Sequence, residues 1–246
     1  MSAPALQALI FDVDGTLADT ESAHRAAFNH AFAEQGLAWH WDEALYTRLL
    51  EISGGKERIA HYWREMRPDI RPLDGQAMRD TIDRIHDVKT AAYEKAVQDG
   101  AVTLRPGVLR LIESAFDGGL RLAIATTTSP VNIAALLRGA IGPDWRDYFV
   151  VVEDASTAPL KKPNPQVYLQ TLARLELPAR ACLAFEDSAN GLRAAVAAGL
   201  ATLVTPNGFT AHHDFTGALR VLPSLDGVGV AHLRAWHAEA KDRGVA

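Results

Sequence analysis

Asp12 and Asp14 stand two residues apart, directly after the apolar run Ala8 to Phe11, and Gly15 follows them. Two neighbouring carboxylates repel each other, so they persist together where a cation or a proton-transfer task holds them. A glycine beside them lets the backbone come close to a ligand. Three more polar groups each follow a short apolar run. Thr126, Thr127, Thr128 and Ser129 come after Leu120 to Ala125. Lys161 and Lys162 lie in the loop beyond Tyr148 to Val152. Glu186 and Asp187 come after Ala181 to Phe185. Acids, hydroxyls and an ammonium suit a trianionic phosphoryl group with a divalent cation. Hard carboxylate oxygens that leave room for water and phosphate point to Mg²⁺, and no His or Cys set has zinc spacing. Taken singly, each group also has a plain structural reading. The first acids could cap a helix or face water, Thr126 could end a strand, and Lys161-Lys162 could be a solvated turn. Glu186-Asp187 could be first-turn acids favoured by the dipole of a helix starting at Ser188.

The elements around these residues decide between the readings. The apolar runs read as buried strands, at Ala8 to Phe11, Leu120 to Ala125, Tyr148 to Val152, Ala181 to Phe185 and Ala201 to Thr205. Helical patterns separate them. Pro106-Gly107 opens a helix with Pro at its first position, and Gly118-Gly119 closes it. Ser129-Pro130 and Asn164-Pro165 start two more, Ser188 to Ala198 is an alanine-rich helix closed by Gly199, and a last one spans Val230 to Lys241. Alternating strands and helices predict an α/β fold with a doubly wound parallel sheet. In such a sheet ligands bind outside the carboxyl ends of the strands, which is where all four polar groups fall. Between Leu17 and Asp99 the pattern is helical throughout: Thr20 to Gln35 with Thr20 as N-cap, Asp42 to Leu50, Gly55 to Met66 and Asp74 to Gln98, with turns at Arg67 to Asp69 and Arg71 to Gly75. This predicts a discontinuous core domain, residues 1–16 and 100–246, with an α-helical cap domain, 17–99, inserted after the first strand.

Composition agrees with a folded enzyme-sized chain. The 246 residues are 48% hydrophobic and 22% charged, enough to bury a sizeable core. A net charge of −5 argues against a general nucleic-acid binder. The single cysteine, Cys182, reads as a small buried hydrophobe and fits a reducing compartment. Neither a signal peptide nor a membrane-length apolar run is evident, so the expectation is a soluble cytoplasmic protein, monomeric, with no nucleic-acid or membrane partner.

Together the motifs make the chain resemble the haloacid-dehalogenase-like (HAD) superfamily over nearly its whole length. Asp12-Val13-Asp14-Gly15-Thr16 is similar to the first motif, Thr126 to the second, Lys162-Pro163 to the third and Glu186-Asp187 to the fourth. The helical insertion matches the family's small cap on a Rossmann-like core. The resemblance implies that Asp12 is a nucleophile forming an aspartyl phosphate, and that Asp14 acts as general acid and then base. It also implies that Thr126 binds phosphoryl oxygens and that Lys162 offsets negative charge. Mg²⁺ would be held by Asp12, the Asp14 carbonyl and Asp187, with Glu186 adjoining. A dehalogenase is disfavoured by the presence of Asp14. A signalling receiver domain also surrounds a phosphorylatable Asp with acids, Thr and Lys, but its third acid precedes the Thr and Lys; here Asp187 comes last.

Within the superfamily the chain looks most like sugar-phosphate phosphatases and β-phosphoglucomutases. The expected activity is Mg²⁺-dependent hydrolysis of a small sugar phosphate, a pentulose bisphosphate such as xylulose 1,5-bisphosphate. The alternatives are a phosphomutase or a phosphoglycolate phosphatase. In the cap, Glu21 and His24 share one helix face. Gly55, Lys56 and Arg58 form a glycine-opened helix start with two cations, suited to a second phosphate. Lys89, with Thr90 and Tyr93, matches a basic position in related caps. Thr127 and Thr128 join the expected substrate-binding residues. Lys56, Arg58 and Lys89 also read as a solvated face and His24 as a surface histidine, while Trp39-His40-Trp41 reads as cap packing.

Overall fold

The computed structural model describes residues 5–66 and 75–242. Six strands form one parallel sheet: β1 (Ala8–Phe11), β2 (Arg121–Ala125), β3 (Phe149–Glu153), β4 (Cys182–Glu186), β5 (Ala201–Val204) and β6 (Arg220–Val221). Their order is β3-β2-β1-β4-β5-β6, with every neighbouring pair parallel. The winding reverses at β1, which pairs with β2 on one side and β4 on the other. Phe11 is opposite both Ile124 and Phe185, so the residues just past these three strands emerge together. β1 and β4 are buried along their whole length, as a strand covered on both faces must be. Ala8, Ile10, Ala123, Val151, Val167, Tyr168, Cys182 and Ala194 belong to one buried cluster. The expected strands are all present, shifted by a residue at some ends. β6 was not expected, because two residues are too short to show an alternation.

Two compact units make up the chain, Met1–Asp19 with Thr103–Ala246, and Thr20–Val102. The divisions fall three residues later than the expected 16/17 and 99/100. Ala18 bridges Asp14 and Leu104, and the Arg105 amide donates to Leu17 O (2.9 Å), which fastens these stretches to the core.

The cap unit contains α1 (Glu21–Glu34), α2 (Glu43–Leu49), α3 (Gly55–His61), continued by a π-helical turn over Tyr62–Met66, and α4 (Gly75–Gln98). The turn expected at Arg67 to Asp69 lies outside the described residues, as does that at Arg71 to Gly75 up to its last residue, Gly75, which begins α4. Asp42 caps α2 by accepting from Leu45 N (2.7 Å). Thr20, expected as a side-chain cap, makes no cap bond; its backbone is already helical and its hydroxyl is buried without a partner. The unit's core is aromatic. Trp41 packs against Phe28 and Phe32 (4.8 Å each) and Tyr62 (5.4 Å), while Trp39 meets Phe32 and Tyr62 (5.3 Å each). Asn29 clamps Trp41 by donating to its carbonyl and accepting from its amide. Trp39 and Trp41 are therefore packing residues.

The core's helices are α5 (Val108–Asp117), α6 (Pro130–Ala140), α7 (Gln166–Leu175), α8 (Ala189–Ala197) and α9 (Val230–Asp242). Ser129 and Ser188 cap α6 and α8 through their side chains. Pro106 is not the first residue of α5, contrary to expectation. Gly107 is the N-cap with φ 84°, a left-handed conformation, and a Cβ there would strike the Leu225 backbone. Cys182 is buried, and burial pushes its thiol up to about 12. No helix among the described residues is long and apolar enough to cross a membrane.

The central position of β1 sets an expectation for stability. Ile10→Ala should cost about 2–5 kcal/mol in urea unfolding. Val150→Ala, at a side chain 57% exposed on edge strand β3, should stay within about 0.5 kcal/mol.

Candidate active site

At the carboxyl end of β1, Asp12 continues the sheet by donating its amide to Phe185 O (3.0 Å). Thr126 does the same beyond β2, to Glu153 O (3.1 Å). Glu186 ends β4, and Asp187 and then the cap residue Ser188 follow it. Lys162 arrives from the loop between β3 and α7. Its ammonium donates to Asp12 Oδ1 (2.7 Å), Glu186 Oε1 (2.6 Å) and Ala125 O (2.9 Å). Asp12, Thr126, Lys162, Glu186 and Asp187 are all buried. These core residues singled out in the sequence thus gather at one edge of the sheet. Asp14 is half-buried in the turn that bridges to Ala18. Thr127 and Thr128 are half-buried, and Thr128 Oγ1 accepts from Asn132 Nδ2 (3.1 Å). Lys161 is half-buried and makes none of the bonds that Lys162 makes.

Residues of ordinary type complete the site, and sequence reasoning missed them. Tyr168 OH donates to Glu186 Oε1 (2.5 Å), and the Lys162 ammonium lies 5.0 Å from its ring centre. Asn207 Nδ2 donates to Asp187 Oδ2 (2.8 Å). Thr16 Oγ1 donates weakly to Asp12 Oδ2 (3.3 Å). Two glycines make room: a Cβ on Gly15 would overlap Asp187's carboxylate, and one on Gly191 would overlap Glu186's. Gly191 lies five residues past Glu186, a spacing that could have drawn attention. Tyr168 and Asn207 carry no such signal.

The electrostatics follow from burial. Burial raises the Asp12 carboxyl to about 7; the Lys162 ammonium opposes the rise, and the charges of Glu186 and Asp14 add to it. Burial also works to lower Lys162, but Asp12 and Glu186 override it and hold the ammonium above the usual lysine value. Burial and the Glu186 charge keep Tyr168 a neutral phenol.

Asp12, Glu186 and Asp187 each place a carboxylate oxygen within 4.8 Å of the others. Three buried acids face one ammonium, and Glu186 Oε2 is buried without a hydrogen-bond donor. A divalent, oxygen-preferring cation fits this donor set and charge.

A protein-family model for haloacid dehalogenase-like hydrolases matches residues 6–199. The chain belongs to the haloacid dehalogenase-like hydrolases. Among its relatives in this family is the plasmid-borne protein CbbY of Cupriavidus necator, 54% identical over 94% of this chain and 97% of that protein. Among solved structures, CbbY of Rhodobacter sphaeroides in complex with phosphate superposes with a TM-score of 0.85 at 44% identity, covering 93% of this chain and 99% of that one. A mutant of the same protein in complex with xylulose 1,5-bisphosphate gives 0.86 at 43% identity, with the same coverage.

In the cap unit, Tyr46 OH donates to Glu21 (2.7 Å) and receives Arg58 Nη1 (3.2 Å). Arg58 also donates to Leu49 O (3.0 Å) and Ile52 O (3.2 Å) and is buried. Lys56 is at the surface, paired with Asp83 (2.7 Å). Lys89 Nζ lies 2.8 Å from His24 Nδ1, and His24 stacks on Tyr93. His24 and Lys89 are both buried, so the surface reading of each fails. Gly55 admits the His86 ring, since a Cβ there would come 2.9 Å from its Nε2. Burial, then the charges of Lys89 and Lys56, lower His86 to about 3, leaving it neutral.

The raised Asp12 value sets a pH dependence. The protonated acid favours the folded state below about pH 4, and this contribution is lost as pH rises through about 7. In metal-free buffer, Asp12→Asn should gain stability relative to wild type from pH 4 to 7 and hold that gain above. Thermal unfolding across this range measures it; a difference that shrinks as pH rises contradicts the assignment.

Proposed function

We propose that this chain is a Mg²⁺-dependent phosphatase of small sugar phosphates. Its substrate would be a pentulose bisphosphate such as xylulose 1,5-bisphosphate. The observation that carries the reading is the Lys162 ammonium bonded to both Asp12 and Glu186, with Asp187 beside them. This is a nucleophile, a cation and a metal-type acid set in one buried place. The likeness to a CbbY structure solved with xylulose 1,5-bisphosphate supports the substrate class.

Asp12, held on Oδ1 by Lys162, attacks phosphorus and displaces the sugar oxygen, which takes a proton from Asp14. Asp14, now ionised, takes a proton from water as that water attacks the phosphorus of phosphoryl-Asp12. Inorganic phosphate leaves and the Asp12 carboxylate returns. Thr126 and the loop amides around it are suited to bind the phosphoryl oxygens. Asp12, Asp187 and the Asp14 carbonyl, with Glu186, would hold Mg²⁺, which when bound neutralises charge between nucleophile and phosphate. In the resting site Lys162 keeps its proton, because the Asp12 and Glu186 carboxylates surround it. Uncatalysed phosphate-monoester hydrolysis is among the slowest reactions enzymes face, which accounts for so many charged groups in one site.

Substrate choice is assigned to Glu21, His24, Gly55, Lys56 and Lys89 of the cap. Arg58, first read as a second phosphate reader, already donates to two carbonyls and a phenol. We assign it instead to holding Tyr46 and, through it, Glu21. Lys56 is then the cation for the distal phosphate.

Phosphate release should require Mg²⁺, favour pentulose bisphosphates over hexose phosphates and phosphoglycolate, and disappear in Asp12→Asn. An isomerised sugar phosphate in place of free phosphate would mark a mutase instead. Full activity in Asp12→Asn would refute the covalent step. Lys56→Ala should raise KM for a bisphosphate about tenfold, equivalent to about 1.4 kcal/mol, and leave a monophosphate nearly unchanged. Equal effects on both would remove Lys56 from recognition.

A further inference from the structure

Arg105 is buried just after the chain re-enters the core unit. Its Nη1 donates to Gly15 O and Thr205 O (2.5 Å each) and lies 3.2 Å from Thr205 Oγ1. Its Nη2 donates to Pro206 O (2.7 Å), and its Nε lies 3.3 Å from Asp19 Oδ1. One guanidinium thus ties the turn after β1 to the loop after β5. Both segments converge on Asp187. A Cβ on Gly15 would overlap the Asp187 carboxylate, so the turn packs directly on it. Asn207, one residue past Pro206, donates Nδ2 to Asp187 Oδ2 (2.8 Å), while Phe209 N donates to Asn207 Oδ1 (2.8 Å) and fixes which way the amide faces.

We propose that Arg105 is a positioning residue for the metal site: through Gly15 and the Thr205-Pro206-Asn207 segment it fixes the Asp187 carboxylate in the orientation that binds Mg²⁺. Arg105 touches neither phosphate nor metal in this scheme. Its planar fork reaches three carbonyls at once, a geometry that a lysine ammonium on a flexible stem does not reproduce. Partners of ligating carboxylates that lie outside the coordination shell orient them, and their loss weakens metal binding by roughly 10–100-fold. The inference rests on the Mg²⁺ reading above.

The test is Mg²⁺ binding to the full chain, measured by calorimetric titration with MgCl₂ and by Mg²⁺-dependent thermal shift, alongside steady-state phosphate release. Arg105→Met and Arg105→Lys should raise the Mg²⁺ dissociation constant about 10–100-fold and about tenfold respectively. At saturating Mg²⁺, KM for the sugar phosphate should stay within about twofold of wild type. Arg110→Met, at an exposed ion pair with Asp226, should leave Mg²⁺ binding unchanged. Asn207→Ala should weaken Mg²⁺ binding as well, and combining it with Arg105→Lys should add little further loss, because both act on Asp187. If Arg105→Met does not fold, Arg105→Lys and the double variant decide the matter. A lowered melting temperature with unchanged Mg²⁺ affinity, or fully additive losses, would overturn the proposal and leave Arg105 a purely structural tie. A wild type that binds no Mg²⁺ would overturn the metal reading itself, and the proposal with it.

Discussion

Asp12, Glu186 and Asp187 are buried close together, and Lys162 is the ammonium that bonds the first two. Like charges about 4 Å apart repel by about 4 kcal/mol even at an effective dielectric of 20. Side chains free to turn would relieve that repulsion by swinging into water. What holds them is the frame. Asp12 and Glu186 leave adjacent strands in fixed register, and Lys162 and Tyr168 load the same oxygen of Glu186. Asn207 fixes one oxygen of Asp187.

The glycines follow from the same constraint. Gly191 lies under Glu186 and Gly15 against Asp187, each in space a methyl group would take from a carboxylate. Gly15 also has φ 79°, so its backbone and its lack of a side chain are both required. The turn residue that looked permissive in the sequence is a packing partner of a charged group.

Legibility in the sequence divides along physical lines. Strand ends carrying Asp12, Thr126 and Glu186-Asp187 were readable because buried apolar runs that stop at acids or hydroxyls are uncommon and fall in a repeating pattern. Lys162 was readable as one of a pair, and only the fold separates it from Lys161. Tyr168, Asn207 and Arg105 were not readable. Each is a common residue type whose partner lies 18 to 100 positions away, and no local periodicity encodes such distances. Pro106 misled because a proline before an apolar run imitates a first helical residue, while the neighbouring backbone of Leu225 fixes the helix start at Gly107 instead. Arg58 misled for a related reason. A cation near a glycine turn reads as available, but the carbonyls ending α2 and following it had already claimed its donors.

The cap shows how similar residue types are put to different uses. Its aromatic centre, built on Phe28, Phe32, Trp39 and Trp41, needs no charge. Around it, Lys89 is buried against His24 and two aromatic rings, His86 is held neutral by burial and by the cations near it, and Lys56 stays at the surface with Asp83. An exposed ion pair of this kind contributes about 0–1 kcal/mol, so Lys56 can exchange Asp83 for a stronger anion at little cost. Arg58 is held differently: it is buried, and its guanidinium is spread over Leu49 O, Ile52 O and Tyr46 OH. Lys56 is thus an exposed and loosely paired cation of this unit. In the core, by contrast, Lys162 is locked between Asp12 and Glu186 in a buried network.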